Sequence, residues 1–212
     1  TPKTSSAASD VYKRQDWDGV PLIISRTGWS SELGYEIFLR DGTQGEKLWE
    51  HLMAVGGPLG LKPGHTSSIR RIEAGMLSYH ADMTLANNPY EMGMGRLVDL
   101  DMEADFISKA ALTLIKERGV SQQLVGLEID GAPFVGSNDF FWPVLKGGVK
   151  VGTVTSAIYS PRLQKNIALA MISIDQTASG RVLQVDKLRE TRTCTVVPFP
   201  FYDPKKSLAT AS

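Results

Sequence analysis

The stretch Ser25–Leu39 reads S-R-T-G-W-S-S-E-L-G-Y-E-I-F-L, and it follows an apolar, β-branched run at Val20–Ile24. That run predicts one strand, and Gly28 and Gly34 predict a polar loop after it. The aromatic and branched residues that begin at Tyr35 predict a second strand. We therefore expect a β-hairpin here, and the rest of the chain can be read outward from it.

Successive side chains of a strand point to opposite faces of its sheet. Glu36 and Phe38 therefore share one face of the second predicted strand, and Trp29 lies on the loop nearby. Such a group can bind a flat heterocycle, because aromatic rings stack on it and the carboxylate accepts hydrogen bonds from its N–H groups. The alternative is a solvated glutamate on an ordinary hairpin.

The run S-R-T-G-W-S-S-E-L-G-Y-E-I resembles the motif S-R-T-G-Y-T-G-E-x-G-(F/Y)-E-I of the glycine-cleavage T-protein family, the folate-binding aminomethyltransferases. The resemblance runs from about Asp16 to the end of the chain and is strongest to the family's dimethylsulfoniopropionate demethylase branch. It implies that Glu36 binds the pterin ring of tetrahydrofolate and that Trp29 stands for the family's aromatic residue seven positions earlier. With Phe38 they form a candidate cofactor site, and Trp29 is also a candidate wall for a cationic methyl donor.

Composition excludes several classes of function. The 212 residues are 42% hydrophobic and 22% charged, as in an ordinary globular protein, and the formal net charge of zero offers no basic field for a nucleic acid. The one cysteine, Cys194, permits no internal disulfide and is compatible with a cytoplasmic setting. We see no membrane-length apolar run, no metal-ligand spacing, no nucleotide-binding glycine loop and no serine nucleophile elbow.

The first residues do not resemble the rest of the chain. Ser5–Gln15 reads S-S-A-A-S-D-V-Y-K-R-Q and resembles an in-frame translation of a sequencing-library adapter. We therefore expect residues 1–15 to be a non-native or disordered leader and set them aside from the fold. The resemblance to the family also implies that the N-terminal half of its folate domain is missing from this chain.

Three helices are expected from apolar residues at helical spacing, over residues 41–55, 62–77 and 105–119. Thr43 and Glu46 have the spacing of a capping box for the first helix. Pro63 suits the first turn of the second helix, and Ser108 is the expected cap of the third.

The second helix carries a departure from the family. Its run G-H-T-S-S-I-R-R-I-E-A-G-M resembles the family segment G-x-x-A-R-D-x-L-R-L-E-A-G, in which an arginine contacts folate. That arginine aligns with Ser67, so the cofactor position has lost its guanidinium. The change argues against aminomethyl transfer and is compatible with a different methyl donor. We expect Arg71 and Glu73 to form a structural ion pair with each other.

Residues 78–99 read as a loop that resembles the segment lining the family's folate cavity. The resemblance implies that Tyr79, His80, Asp82 and Tyr90 face that cavity, and it makes Tyr79 a candidate substrate-binding residue. The spacing of His80 and Asp82 permits a catalytic dyad. Local hydrogen bonding of the loop is the interpretation we favour, and no catalytic residue is assigned.

From about Val120 the pattern changes to short alternating strands, expected over residues 124–129, 142–145, 150–156, 167–173, 181–185 and 191–197. Such a series suggests a small barrel or sandwich, with a hairpin at Lys146–Val149. The run V-G-T-V-T-S-A-I-Y-S-P-R-L resembles the family's C-terminal domain. Arg162 in this run either meets the glutamate tail of folate or is solvated, and we favour the latter. Tyr202, in P-F-P-F-Y-D-P, is a candidate folate contact.

The expected fold is α+β: the C-terminal part of a folate-binding domain over residues 16–119, then a β-barrel domain over residues 120–212. The expected function is transfer of a sulfonium methyl group to tetrahydrofolate, as in dimethylsulfoniopropionate demethylase. Aminomethyl transfer in glycine cleavage, another folate-coupled demethylation and a non-enzymatic folate-binding module are the alternatives. The expected partners are tetrahydrofolate and a small-molecule methyl donor, and a second copy of the chain is a further candidate.

Overall fold

The computed structural model describes residues 12–29, 32–188, 190–205 and 207. Contacts divide the chain into two units, one made of the residues up to Ser67 with those from Lys206 onward, and one made of Ser68–Lys205. Residues 1–11 of the expected leader lie outside the described part. The division at Ser67 separates contact units, so the boundary between family domains expected near residue 120 stays a prediction.

The first unit contains a three-stranded antiparallel sheet in the order β1-β2-β3. The strands are β1 (Tyr12–Trp17), β2 (Val20–Ser25) and β3 (Glu36–Leu39). Strands β2 and β3 are the two expected from the sequence. The backbone of residues 12–15, which the sequence analysis set aside, pairs with residues 22–25 of β2 and is therefore part of this sheet.

A helix, α1 (Gly45–Gly56), follows the sheet between two short 3-10 turns at Gly42–Gln44 and Gly57–Leu59. The helix is where the sequence places it, but the expected capping box is wrong. Asp41 instead caps the first 3-10 turn, accepting hydrogen bonds from the Thr43 backbone N–H at 3.0 Å and the Thr43 hydroxyl at 2.6 Å. An aspartate can accept both donors at once, which leaves the threonine hydroxyl engaged outside the helix.

The second helix is shorter than expected. It is α2 (Ser68–Glu73), and residues 61–67, with Pro63 among them, have no regular secondary structure. Gly75 adopts a φ of +63°, which helical residues do not. A Cβ on Gly75 would lie 2.7 Å from the ring of Phe199. Left-handed backbone and close packing thus both require glycine just after this helix.

The third helix, α3 (Lys109–Arg118), ends at Gly119 as expected. The Gly119 N–H donates to the carbonyl of Ile115 at 2.9 Å. Ser108 precedes the helix with a φ of +71°, and its side chain makes no capping hydrogen bond. The cap expected at Ser108 is therefore wrong, because its backbone is left-handed rather than extended.

The remaining strands close into a six-stranded antiparallel barrel in the order β4-β7-β6-β5-β8-β9, and β9 pairs back to β4. The strands are β4 (Gln122–Ile129), β5 (Trp142–Lys146), β6 (Val149–Ser160), β7 (Lys165–Ser173), β8 (Val182–Lys187) and β9 (Glu190–Val197). Each contains or overlaps an expected strand. The expected α+β class with a C-terminal barrel is confirmed.

The barrel interior is filled by small and branched apolar side chains, among them Leu127, Val144 and Val154. Cys194 lies in this core, and burial raises the pKa of its thiol to about 12. At one end β5 turns into β6 through Gly147 and Gly148, which have φ values of +58° and +82°. Two residues with positive φ form the turn that joins tightly paired strands, so the hairpin expected there is confirmed.

Helix α2 packs on the outer wall of the barrel. Ile72 contributes to a second apolar cluster with Ile158 of β6 and with Ile167 and Leu169 of β7, and all four side chains are buried. Ile72 therefore anchors the helix, and its neighbours in sequence lie against the barrel wall. In the part of the chain that the structure describes, no helix has the length and apolar character needed to cross a bilayer.

Candidate functional site

Glu36 opens β3, an edge strand of the sheet, directly opposite Ser25 of β2. The Glu36 carboxylate is exposed and accepts a hydrogen bond from the Thr27 hydroxyl. The Thr27 oxygen also lies 3.0 Å from the hydroxyl of Ser25, which is buried. Thr27 thus links one carboxylate oxygen of Glu36 to the buried Ser25 and orients it. Thr27 was not singled out by the sequence analysis, although its place in the S-R-T-G motif is a usable signal.

The aromatic side chains expected beside Glu36 are accessible. Phe38 lies two residues along β3, opposite Ile23, and is 49% exposed. Trp29 lies on the loop between β2 and β3 and is 45% exposed. Residues two apart on a strand share a face, so the structure brings Glu36 and Phe38 to one side of the sheet. An exposed carboxylate can accept hydrogen bonds from the N–H groups of a pterin and half-exposed rings can stack on it, so these residues fit that group.

Ser67 lies in the irregular segment immediately before α2. Its side chain is short and uncharged, so the position supplies a hydroxyl where the family segment has a guanidinium. Ser67 ends the first unit, whereas Tyr79 and Tyr202 belong to the second.

In the second unit, a buried polar cluster is centred on Asp82, which is 3% exposed. Its carboxylate accepts hydrogen bonds from Arg71 Nη1 at 2.8 Å and from the Ser78 backbone N–H at 2.9 Å. It also accepts from the hydroxyls of Thr155 and Ser156 at 2.7 and 2.6 Å. Asp82 is therefore a structural acceptor, which agrees with the hydrogen-bonding interpretation favoured for this loop.

A β-bulge allows two consecutive hydroxyls to reach this one carboxylate. The pairing of β6 with β7 shifts between Val154 and Ser156, which leaves Thr155 as an extra residue. Consecutive side chains of a regular strand point to opposite faces, whereas a bulge re-aims one of them. Thr155 and Ser156 can consequently both donate to Asp82. The sequence alone does not reveal this bulge.

The same cluster borders a cavity of about 360 Å³. Its lining includes Arg71, Thr155 and Ser156, together with Phe140 and Phe141 from the segment before β5. A cavity of this size with aromatic walls and a few polar groups is suited to a small ligand.

Tyr79 and His80 lie at the surface. Tyr79 is 48% exposed, and its ring centroid lies 4.3 Å from that of the exposed His80. His80 has a φ of +72°, and Asp82 is engaged by the four donors described above. Tyr79 thus remains accessible to a ligand. The Tyr90 hydroxyl is buried and has no hydrogen-bond partner among the described residues.

Arg71 and Glu73 do not pair with each other as expected. Arg71 pairs with Asp82, whereas the buried Glu73 accepts a hydrogen bond from the Ser160 hydroxyl at 2.5 Å. Residues two apart on a helix point in different directions, so Arg71 reaches Asp82 in the following loop whereas Glu73 reaches Ser160 of β6. The expected Arg71–Glu73 ion pair is therefore wrong. The partners lie 11 and 87 residues away in sequence, which explains why local pattern did not identify them.

Arg162 is not simply solvated. Its guanidinium lies 4.0 Å from the centroid of the Tyr202 ring and 3.8 Å from Glu73 Oε2. The structure therefore brings Tyr202 together with a cation that the sequence analysis considered separately. Among the described residues, no cluster of histidine, cysteine and acidic side chains could hold a metal ion.

Comparison with known families gives two matches. A family model described as the GCVT N-terminal domain matches residues 7–102. A second, described as the glycine cleavage T-protein C-terminal barrel domain, matches residues 122–203 and therefore covers the closed barrel. Together the two models span most of the chain.

Individual relatives agree with these matches. The chain is 37% identical over 185 residues to dimethylsulfoniopropionate demethylase DmdA of Ruegeria pomeroyi, an alignment that covers 87% of this chain and 50% of the relative. It is also 37% identical over 194 residues to an aminomethyltransferase of Bacillus mycoides, covering 89% of this chain and 51% of the relative. The chain thus spans about half the length of the curated relatives it matches.

A solved structure has the same fold. The crystal structure of glycine cleavage system aminomethyltransferase T from Bartonella henselae superimposes with a TM-score of 0.72 at 20% sequence identity. The match covers 86% of this chain and 50% of that one. At this identity the likeness establishes the architecture.

Proposed function

Because the chain belongs to the glycine-cleavage T-protein family, we propose that it is part of a tetrahydrofolate-dependent methyltransferase that takes a methyl group from a small-molecule sulfonium donor. The observation that carries this proposal is Glu36. Its carboxylate is exposed at the start of β3, is oriented by Thr27, and lies on the same face as Phe38. The sequence around it resembles the motif whose glutamate binds the pterin ring in the family.

Each proposed site residue has a defined task. Glu36 accepts hydrogen bonds from the N–H groups of the pterin and fixes its orientation. Trp29 and Phe38 offer aromatic faces on which the heterocycle stacks. Tetrahydrofolate, when bound, supplies the ring nitrogen that accepts the methyl group.

The proposed site positions the methyl donor and does not need to activate it chemically. A methyl group on a sulfonium is already electrophilic, so the protein needs no strong base and gains rate by positioning the two reactants. Aromatic faces attract the positive sulfonium, and we assign this contact to the accessible ring of Trp29. This assignment accounts for a site without a catalytic acid or base among the proposed residues.

Ser67 favours this reaction over aminomethyl transfer. The relatives named for demethylation and for aminomethyl transfer are equally similar, at 37% identity. Ser67, however, lacks the guanidinium that the family's aminomethyltransferase segment places there. Aminomethyl transfer in the glycine cleavage system is therefore the second candidate. Another folate-coupled demethylation, or folate binding without turnover, is the third.

A donor screen with bound tetrahydrofolate tests these candidates. The full chain is first titrated with tetrahydrofolate, and it is then incubated with dimethylsulfoniopropionate, with aminomethylated lipoyl carrier protein and with methylated glycines. Mass spectrometry measures methyltetrahydrofolate and methylenetetrahydrofolate. Methyltetrahydrofolate formed with the sulfonium donor supports the proposal. Turnover of the lipoyl protein alone supports aminomethyl transfer, and the absence of tetrahydrofolate binding contradicts all of these functions.

A further inference from the structure

We propose that the cavity of about 360 Å³ in the second unit binds a small onium ion, a quaternary ammonium or a sulfonium, through the rings of Phe140 and Phe141 and the carboxylate of Asp139. All of the residues that line this cavity belong to the second unit. None of them is assigned to tetrahydrofolate or to its methyl donor, so the inference goes beyond the proposed function.

The buried wall of the cavity carries no net charge. Arg71 lines it and is 8% exposed, but its Nη1 lies 2.8 Å from Asp82 Oδ2. Nη2 of the same guanidinium donates to the Ser156 hydroxyl at 2.7 Å. Because the two opposite charges lie this close together, their effects in the cavity largely cancel. Arg71 therefore does not repel a bound cation as an unpaired guanidinium would.

Asp139 supplies the net charge of the site. It lines the cavity, is exposed, and has no hydrogen bond or ion pair with any described residue. With Arg71 neutralised by Asp82, the ionisable groups at the cavity carry a formal charge of −1. An exposed carboxylate attracts a cation only weakly, because water and salt screen it. Affinity for a cation therefore needs a second source.

Two accessible aromatic rings provide that source. Phe140 and Phe141 are 64% and 58% exposed, and both line the cavity. In the described part of the chain, neither ring contacts another aromatic ring or lies beneath a cationic side chain. The face of an aromatic ring is its negative side and attracts a cation that lies within about 6 Å of the centroid. Both rings are thus available to a cationic ligand.

The segment that carries these rings is fixed to the barrel by Asn138. Its Nδ2 donates to the carbonyls of Phe140 and Thr155 at 2.9 and 3.3 Å. Its Oδ1 accepts from the Ala157 backbone N–H at 2.6 Å, and its own N–H donates to the Ala157 carbonyl at 3.2 Å. The backbone beside the rings is therefore held before a ligand binds, which lowers the entropy cost of binding.

The polar groups of the cavity favour an ion that forms no hydrogen bonds. Thr155 and Ser156 donate their hydroxyl hydrogens to Asp82, and the Asn138 amide is used by the backbone. These walls therefore offer a ligand few acceptors. An onium ion has no N–H group and loses nothing here, whereas an ammonium or a guanidinium leaves donors unsatisfied. The cavity thus suits an alkylated cation better than a lysine-like or arginine-like one.

The test is calorimetric titration of the full chain without tetrahydrofolate. The probes are choline, trimethylsulfonium and 3,3-dimethyl-1-butanol, the neutral isostere of choline in which carbon replaces nitrogen. Phe140→Leu and Phe141→Leu retain apolar bulk and remove the aromatic face, and Asp139→Asn removes the charge. Asp101→Asn is the matched control, because Asp101 is an exposed aspartate of the same unit that does not line the cavity.

We expect both onium ions to bind and the neutral isostere to give no measurable heat. Each leucine variant should weaken binding about threefold to tenfold, Asp139→Asn about threefold, and Asp101→Asn not at all. The onium ion that binds more tightly identifies the source of the ligand as a quaternary ammonium or a sulfonium compound. All of these positions are exposed, so every variant should melt at the wild-type temperature.

The inference is overturned if neither onium ion binds, if the neutral isostere binds as tightly as choline, or if both leucine variants keep wild-type affinity. It is also overturned if Trp29→Ala abolishes binding and Phe140→Leu does not, because the ion then lies at the first unit. Failure of the proposed function leaves these outcomes unchanged, since no tetrahydrofolate is present in the titration.

Discussion

Replacing Asp82 by asparagine should destabilise the second unit severely. The carboxylate is 3% exposed and accepts four hydrogen bonds, from Arg71, Ser78, Thr155 and Ser156. Asparagine keeps the shape but has one acceptor oxygen, no charge and two added donors. Removing one member of a buried ion pair costs roughly 3–5 kcal/mol, because the other charge is left in a poorly solvated site. We expect a loss of this size in the free energy of unfolding.

Hydrogen exchange measured by mass spectrometry is the suitable assay, since peptides from β4–β9 report the opening of the barrel separately from the first unit. Asp139→Asn is the control, because Asp139 is an exposed aspartate of the same unit, and it should change stability by less than about 0.5 kcal/mol. The double variant Arg71→Gln/Asp82→Asn should lose less than the sum of the two single losses. A cost for Asp82→Asn of under about 1 kcal/mol would refute the reasoning.

Three further outcomes follow from the structure. Gly75→Ala should cost roughly 2–4 kcal/mol of stability by thermal or urea unfolding, because a left-handed φ and a ring 2.7 Å from the new Cβ add up, whereas Gly148→Ala, with open space, should cost only about 1–2 kcal/mol. Cys194 should react with Ellman's reagent at pH 8.5 only after unfolding. Its folded pKa of about 12 exceeds the ordinary 9.0, so the stability that it contributes is lost as pH rises through that window. Thr27→Val should weaken tetrahydrofolate binding about fivefold, and Thr27→Ser should preserve it, since only the hydroxyl orients Glu36.

Features that depend on local sequence could be predicted. The barrel strands are short alternating runs separated by glycine turns, so their number and approximate limits follow from period and turn chemistry. Gly147 and Gly148 identify a hairpin because few other residues accept positive φ. The helix at α1 follows from its apolar spacing in the same way.

Features that depend on distant contacts could not be predicted. The stripe of Ile69, Ile72 and Met76 suggested a longer helix, but only Ser68–Glu73 packs on the barrel as helix. Arg71 pairs with Asp82 and also contacts Ser156 of β6, and Glu73 contacts Ser160 of β6. The bulge of β6 at Thr155 has no signature in the sequence. The same limit applies to the candidate site. The motif in the sequence identified Glu36. The contacts of Arg162 with Glu73 and with the ring of Tyr202 are visible only in the three-dimensional structure.

The central measurement is the affinity of the full chain for tetrahydrofolate with Glu36 intact and with Glu36→Gln. Glutamine keeps the shape but loses the charge, and charge-assisted hydrogen bonds are stronger than neutral ones by about 1–2 kcal/mol, which corresponds to a decrease of roughly tenfold. Glu50→Gln, the same change at an exposed position on α1, should have no effect. We predict tight binding by the wild type, a loss of about tenfold for Glu36→Gln and none for Glu50→Gln. Equal affinity in all three chains would contradict the account.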